Sequence, residues 1–339
     1  MRQVVLLMLL LFICSAAIAS EISGSSEQRE VAVGFYLVDI TRIDEISNTF
    51  TAEVDVFVSW QDSALAFDPE AEGAMTQIYS GKDAENLRRG HWSAQIYPTN
   101  PVGKFGAGGE KMVVYPDGRV ELLARINATL RTRLDYRNFP FDTQILPFEL
   151  ESFPWNRDQV RLVADQEHTG YGQLFALTEW EVTGLEIDQY ERSRVRDVVP
   201  FSNLVFKISI ERDSGFYLWK IFLTVIIIVS LTWVVFWMSG EGLGRRAGIS
   251  SSGILTVIAY QFVTTSSLPK VSYLTVADKV MILSIVFIAA TMVESVLVDS
   301  LTRTDLPRKL KFDRICRVAF PAAYFSSLLY LAFRYGMFA

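Results

Sequence analysis

Sulfur and imidazole are scarce in this chain: among 339 residues there are two cysteines, Cys14 and Cys316, and two histidines, His91 and His168. Two cysteines cannot build the disulfide framework of a small secreted domain or the cysteine-rich sets that hold structural zinc. Two isolated histidines, without a nucleophile motif or a phosphate loop, leave no constellation for a membrane-anchored enzyme. Excess positive charge is also lacking. Lys+Arg number 32 against 38 Asp+Glu, a net −6, which excludes a nucleic-acid binder with a basic face. Nor is the chain poor in apolar residues as a disordered one would be, since 50% are hydrophobic and only 21% charged. No metal and no cofactor is implied.

The pooled charge hides a split. Residues 21–213 carry 32 acidic and 19 basic side chains, whereas residues 214–339 carry 6 and 12. A mean hydropathy of +0.24 therefore averages an acidic, water-loving front and an apolar, basic back. Before both, Arg2, the run Val4–Cys14 and Ala17-Ile18-Ala19 read as a secretory signal peptide over 1–19, its apolar run too short to span a bilayer. Cys316 is then the one cysteine left, and the secreted domain must rely on its core.

Within an outer domain over 20–213, residues 30–212 show short alternating runs and almost no helical period. Val31–Ile40, Thr49–Trp60, Lys111–Tyr115, Val120–Arg133, Gln159–Val163, Glu179–Ile187 and Val205–Glu211 read as strands. In 51–60, Ala52, Val54, Val56, Val58 and Trp60 alternate with Glu53, Asp55, Phe57 and Ser59, giving one buried and one wet face. The spacing predicts an all-β, immunoglobulin-like sandwich.

After Arg212 the composition changes. Spans of membrane length fall at about 216–238, 247–266, 276–299 and 314–336, an all-α four-helix domain in the bilayer. Arg245 and Arg246 lie between the first two, six basic residues lie in 302–317, and the loop at 265–275 has only Lys270. The positive-inside rule puts the first two groups in the cytoplasm and the front domain outside. Along the second span Gly248, Ser252, Leu255, Ala259, Phe262 and Ser266 recur at steps of 4, 3, 4, 3 and 4 and share one face, polar at its ends and apolar between. Helix packing and a water-filled path with a dewetting constriction explain such a stripe about equally. A pore lined this way requires a symmetric oligomer.

At Phe139-Pro140-Phe141-Asp142, with Gln144 following, the sequence resembles the signature loop of the pentameric ligand-gated ion channels, the Cys-loop receptor superfamily. Trp60-x-Asp62, Pro116-Asp117-Gly118, Arg212, the four spans and the run Ser267–Tyr273 extend the resemblance over nearly the whole chain. The loop cysteines of the animal receptors fall at Thr132 and Leu146, a departure similar to the prokaryotic branch. The proline usual in the first span is missing, with Thr224 in its place.

The resemblance implies a homopentamer in the plasma membrane around an axial pore lined by the second helix, opened by a small-molecule agonist bound between subunits. In its aromatic box Phe153, Tyr190 and Phe201 match, with Glu151 beside them and Tyr97 in the first segment. Asp55 and Phe57 face the box from the partner subunit. Aromatic faces attract ammonium groups, which makes an amine a candidate agonist. Coupling to the pore is implied for Glu45, Asp142 and Arg212, with Pro140 and Pro269 at the junction. The acidic front domain favours monovalent cations as the permeant ions. Arg245, standing where cation channels usually carry Glu, and Gly248 keep an anion channel as the alternative; a non-conducting receptor is the remaining one.

Overall fold

Alternation along residues 49–61 becomes a strand because every second side chain is apolar, and that strand sits in the middle of a sheet. The computed structural model describes residues 28–173, 175–193, 199–238, 242–265, 270–302 and 306–335. The signal-peptide segment, Ser266 and Pro269 lie outside the described residues.

The larger sheet runs β3 (Gln77–Ser80), β5 (Gly106–Val114), β6 (Arg119–Arg131), β2 (Thr49–Gln61), β1 (Arg29–Asp44) and β8 (Val160–Ala164), with β9 (Gly170–Tyr171) also on β1. The smaller runs β10 (Trp180–Arg192), β11 (Phe201–Arg212), β7 (Thr143–Ser152) and β4 (Ile96–Pro98). Phe35 of β1 stacks on Phe206 of β11 at 4.4 Å and meets Phe148 of β7 at 5.1 Å, joining the sheets. Each such buried ring contributes about 1.5–3 kcal/mol, and here the core acts without a disulfide. A short polar helix, α1 (Lys82–Gly90), packs beside β3 and β5.

Four apolar helices long enough to cross a membrane follow: α2 (Gly215–Trp237), α3 (Leu243–Thr265), α4 (Val276–Thr302) and α5 (Leu306–Arg334). α2 opens with a π turn over Leu218–Phe222, just ahead of Thr224, whose hydroxyl donates back to the Lys220 carbonyl at 2.7 Å. Gly253 lets α3 approach its neighbours, since a Cβ there would lie 2.4 Å from a Thr232 methyl and 3.4 Å from Ile288.

Candidate functional site

Three places in the fold hold the residues singled out by sequence. The first is the junction between sandwich and helices. Arg212 ends β11, Asp142 opens the approach to β7, and Glu45 sits in the turn after β1. Arg212 Nε donates to Asp142 Oδ1 at 2.8 Å and Nη2 to Oδ2 at 3.3 Å, while Nη1 donates to Glu45 Oε1 at 2.7 Å and to the Tyr217 hydroxyl at 3.4 Å. The Arg212 side chain is wholly buried, with Trp180 at 4.1 Å, Phe139 at 5.0 Å and Tyr217 at 5.7 Å around its guanidinium. Burial works against this charge, yet the Asp142 hydrogen bonds and the two carboxylates hold Arg212 more basic than a free arginine. At Glu45 burial outweighs the pull of Arg212, and its carboxyl is less acidic than usual. The neighbouring Tyr136 hydroxyl is pushed up by burial and then by Glu45.

Pro140 is buried in the same loop, behind a cis Phe139–Pro140 bond. The loop touches the helices directly: the Ala277 N–H donates to the Phe139 carbonyl at 3.2 Å, and the Tyr136 N–H donates to the Tyr273 hydroxyl at 3.0 Å. Phe141 stacks on Phe222 of α2 at 6.0 Å.

The second place is the outer face of the smaller sheet. Register puts Tyr190, Asn203, Glu151 and Tyr97 in one row across β10, β11, β7 and β4. Tyr97 meets Phe153 edge to face at 6.5 Å, and Phe153 is 61% exposed. Glu151 and Phe201, by contrast, are covered, at 3% and 6% exposure. A further carboxylate at the aromatic rim, not singled out by the sequence pattern, is Glu149. It accepts from Thr99 Oγ1 at 2.8 Å, Arg192 Nη1 at 3.1 Å and the Tyr190 hydroxyl at 3.3 Å. Burial and then Glu149 raise the Tyr190 hydroxyl above its ordinary value. On the other flank, Asp55 is gripped by Arg125 through two bonds of 2.7 and 2.8 Å, beside a cavity of about 540 Å³ lined by Gly106–Gly109. Phe57 lies 5.1 Å from the His168 ring.

The third is α3. Gly248, Ser252, Leu255, Ala259 and Phe262 are all exposed, Leu255 at 68% and Phe262 at 75%. The opposite face, with Arg246, Ser250, Gly253 and Val257, is buried against the other helices. Arg245, three residues before Gly248, is on the exposed side. Arg246 instead reaches Glu294 of α4 at 3.0 Å and Asp313 of α5 at 3.2 Å.

Residues 20–214 match the family model described as the neurotransmitter-gated ion-channel ligand binding domain. A proton-gated ion channel of Gloeobacter violaceus is 26% identical over 310 residues, covering 91% of this chain and 84% of the relative. The pH-sensitive chloride channel 2 of Drosophila melanogaster is 24% identical over 300 residues, 85% of this chain and 56% of its own length. The human gamma-aminobutyric acid receptor subunit rho-3 is 25% identical over 319 residues, at 88% and 66%. The chain thus spans most of the bacterial relative and between about half and two thirds of the animal ones.

Proposed function

Because the chain belongs to the neurotransmitter-gated ion-channel family, the pentameric ligand-gated (Cys-loop) superfamily, we propose that five copies assemble around an axis with α3 facing a central pore. Members of this family are multi-pass plasma-membrane channels rather than enzymes. Residues 1–19 serve as a signal peptide in this reading, 20–213 lie outside the cytoplasm and 214–339 carry the channel.

The observation that carries the proposal is the division of α3. Its span is 17% buried, as is that of α5, against 39% for α2 and α4, and the side left open on α3 includes the stripe Gly248, Ser252, Leu255, Ala259 and Phe262. Lipid accepts an apolar outer face, as on α5 with Phe325, Leu329 and Phe333, whereas the open face of α3 carries the small or polar Gly248 and Ser252 before its apolar stretch. Around an axis Leu255 and Phe262 form an apolar constriction that empties of water when narrow.

The agonist site lies on a rim of exposed Phe153 and half-buried Tyr97 and Tyr190, with Glu149 supplying charge. Glu151 and Phe201 support it from beneath, and the partner subunit closes it with Asp55 and Phe57. Aromatic rings beside a carboxylate favour an amine, each face contributing about 0.5–2 kcal/mol toward an ammonium group. Glu45, Asp142, Arg212 and Pro140 pass the binding event to the helices, with Pro269 receiving it.

The permeant ions are monovalent cations on the strength of the acidic outer domain, which enriches them at the pore mouth. The burial of Arg246 supports this by taking one positive charge off the stripe. A second reading, anions, is favoured by Arg245, which stays on the exposed face of α3, where five copies form a basic ring. Liposomes holding the purified protein decide between them. Leu255→Ser wets the constriction and raises basal current, and in asymmetric salt that current reverses near the cation potential. Reversal near the chloride potential establishes the anion channel, and Arg245→Glu then inverts the selectivity. A Leu255→Ser protein without current overturns the pore assignment.

A further inference from the structure

The inner end of the helical bundle contains a charge cluster that the gating scheme does not use. Arg246 of α3, Glu294 of α4 and Asp313 of α5 are 2%, 3% and 1% exposed. Arg246 Nη2 donates to Glu294 Oε2 at 3.0 Å, to Oε1 at 3.2 Å and to Asp313 Oδ1 at 3.2 Å. Arg246 Nε and Asp313 Oδ2 have no hydrogen-bond partner among the described residues. Glu294 stands 18 residues after the start of α4 at the ectodomain, about 27 Å along the helix and near the cytoplasmic end.

Among the described side chains the count of charges does not close. Two carboxylates face one guanidinium, so with both ionised the cluster buries a net negative charge. The described side chains of the neighbouring elements offer little relief. From α4, Ser295 Oγ lies 3.5 Å from Glu294 Oε2. From α5, Cys316 is buried nearby, Arg314 is exposed, and Arg317 is turned to the Phe236 carbonyl at 3.0 Å and to the Trp237 ring. Arg245 of α3 and Lys311 of α5 are exposed, and Asp299 of α4 is half-buried. The described part of α2 has no charged side chain at this end. An uncompensated buried charge costs several kcal/mol, and a carboxylate escapes that cost by taking a proton.

We propose that Glu294 and Asp313 share one proton at neutral pH, and that this buried proton site, toward the cytoplasmic end of the bundle, sets how tightly the inner end of α3 is held. With the proton bound, one carboxylate balances Arg246 and the three helices are tied without net charge. Losing it to an alkaline cytoplasm leaves two buried carboxylates repelling one another across the α4–α5 contact. The inner mouth of α3 loosens.

Infrared difference spectra of the detergent-purified wild-type protein across neutral pH test the site directly. A protonated-carboxyl C=O band, lost in Glu294→Gln or in Asp313→Asn, is the expected result. Thermal unfolding gives a second readout. Wild type loses stability as pH rises above neutral, and Glu294→Gln removes that dependence, whereas the control Asp299→Asn keeps it. Should both site variants fail to assemble, the wild-type band alone decides. Absence of the band, or a pH dependence unchanged in an assembled Glu294→Gln protein, overturns the proposal. Neither measurement requires current, so a failed pore assignment and a failed proton site remain distinguishable.

Discussion

Arg212, where the sandwich meets the membrane, and Arg246, at the far end of the bundle, each face two carboxylates, yet the two knots are finished differently. All three Arg212 nitrogens donate, Asp142 is held by two bonds, and three aromatic rings surround the guanidinium. Arg246 donates to both carboxylates through Nη2, and its Nε has no partner among the described residues. At the outer knot the Glu45 side chain keeps 15% exposure, so some water helps to bear the second negative charge. Glu294 and Asp313 have almost none. A buried arginine with complete geometry fixes a junction rigidly. One with incomplete geometry leaves the burden on the protonation of its partners, and becomes sensitive to pH.

The sharpest way to break that comparison is Arg212→Ala. It leaves Asp142 and Glu45 facing each other in a largely dry space and should remove about 3–5 kcal/mol. Size-exclusion chromatography must first show an intact pentamer. In such a pentamer agonist affinity at the aromatic rim should persist while agonist-evoked current is lost, because the rim is on a different part of the smaller sheet. Arg212→Lys restores the charge but not the fork, and should recover only part of the current. Normal gating in an assembled Arg212→Ala pentamer removes the residue from the coupling path.

How much of this contrast could be read in advance differs by region. The Arg212 knot lies within matched motifs, and β2 declares itself by strict alternation. The α3 stripe follows from helical periodicity alone, since its residues recur every three or four positions. Strand β7 was hidden by Pro147, which looks like a strand breaker. It fits because β7 there pairs only with β11, so no partner on the other side needs its missing N–H. Helix α1 was hidden by its polarity. Glu149 is not singled out beside Glu151 because the two share one face of β7, and only the overlying packing decides which is covered. The partners of Arg246 lie 48 and 67 residues away, on other helices, and no local pattern announces them.

Arg246→Ala should cost less than Arg212→Ala, since both inner carboxylates can take protons once the arginine is gone. A loss of about 1–3 kcal/mol at neutral pH, growing as pH rises, is expected in thermal unfolding. A loss at neutral pH equal to that of Arg212→Ala would erase the distinction between the knots.

The smallest effect, and the finest probe of the difference, is Glu45→Gln. Glutamine keeps an oxygen for Arg212 Nη1 and imitates the protonated acid, while Asp142 continues to hold the guanidinium by two bonds. Because burial, opposed only in part by Arg212, makes the native Glu45 carboxyl less acidic than in the unfolded chain, ionised Glu45 is its costly state. Its share of stability is therefore complete below the unfolded value and declines as pH rises through the higher native one. Glu45→Gln should match wild type at about pH 4 and gain on it by about 1 kcal/mol or less at about pH 8, read as the difference between their unfolding temperatures. The opposite slope would mean that Arg212 stabilises the Glu45 carboxylate more than burial penalises it. Ionised Glu45 would then be the favoured state at the outer knot, further still from the proton-sharing arrangement around Arg246.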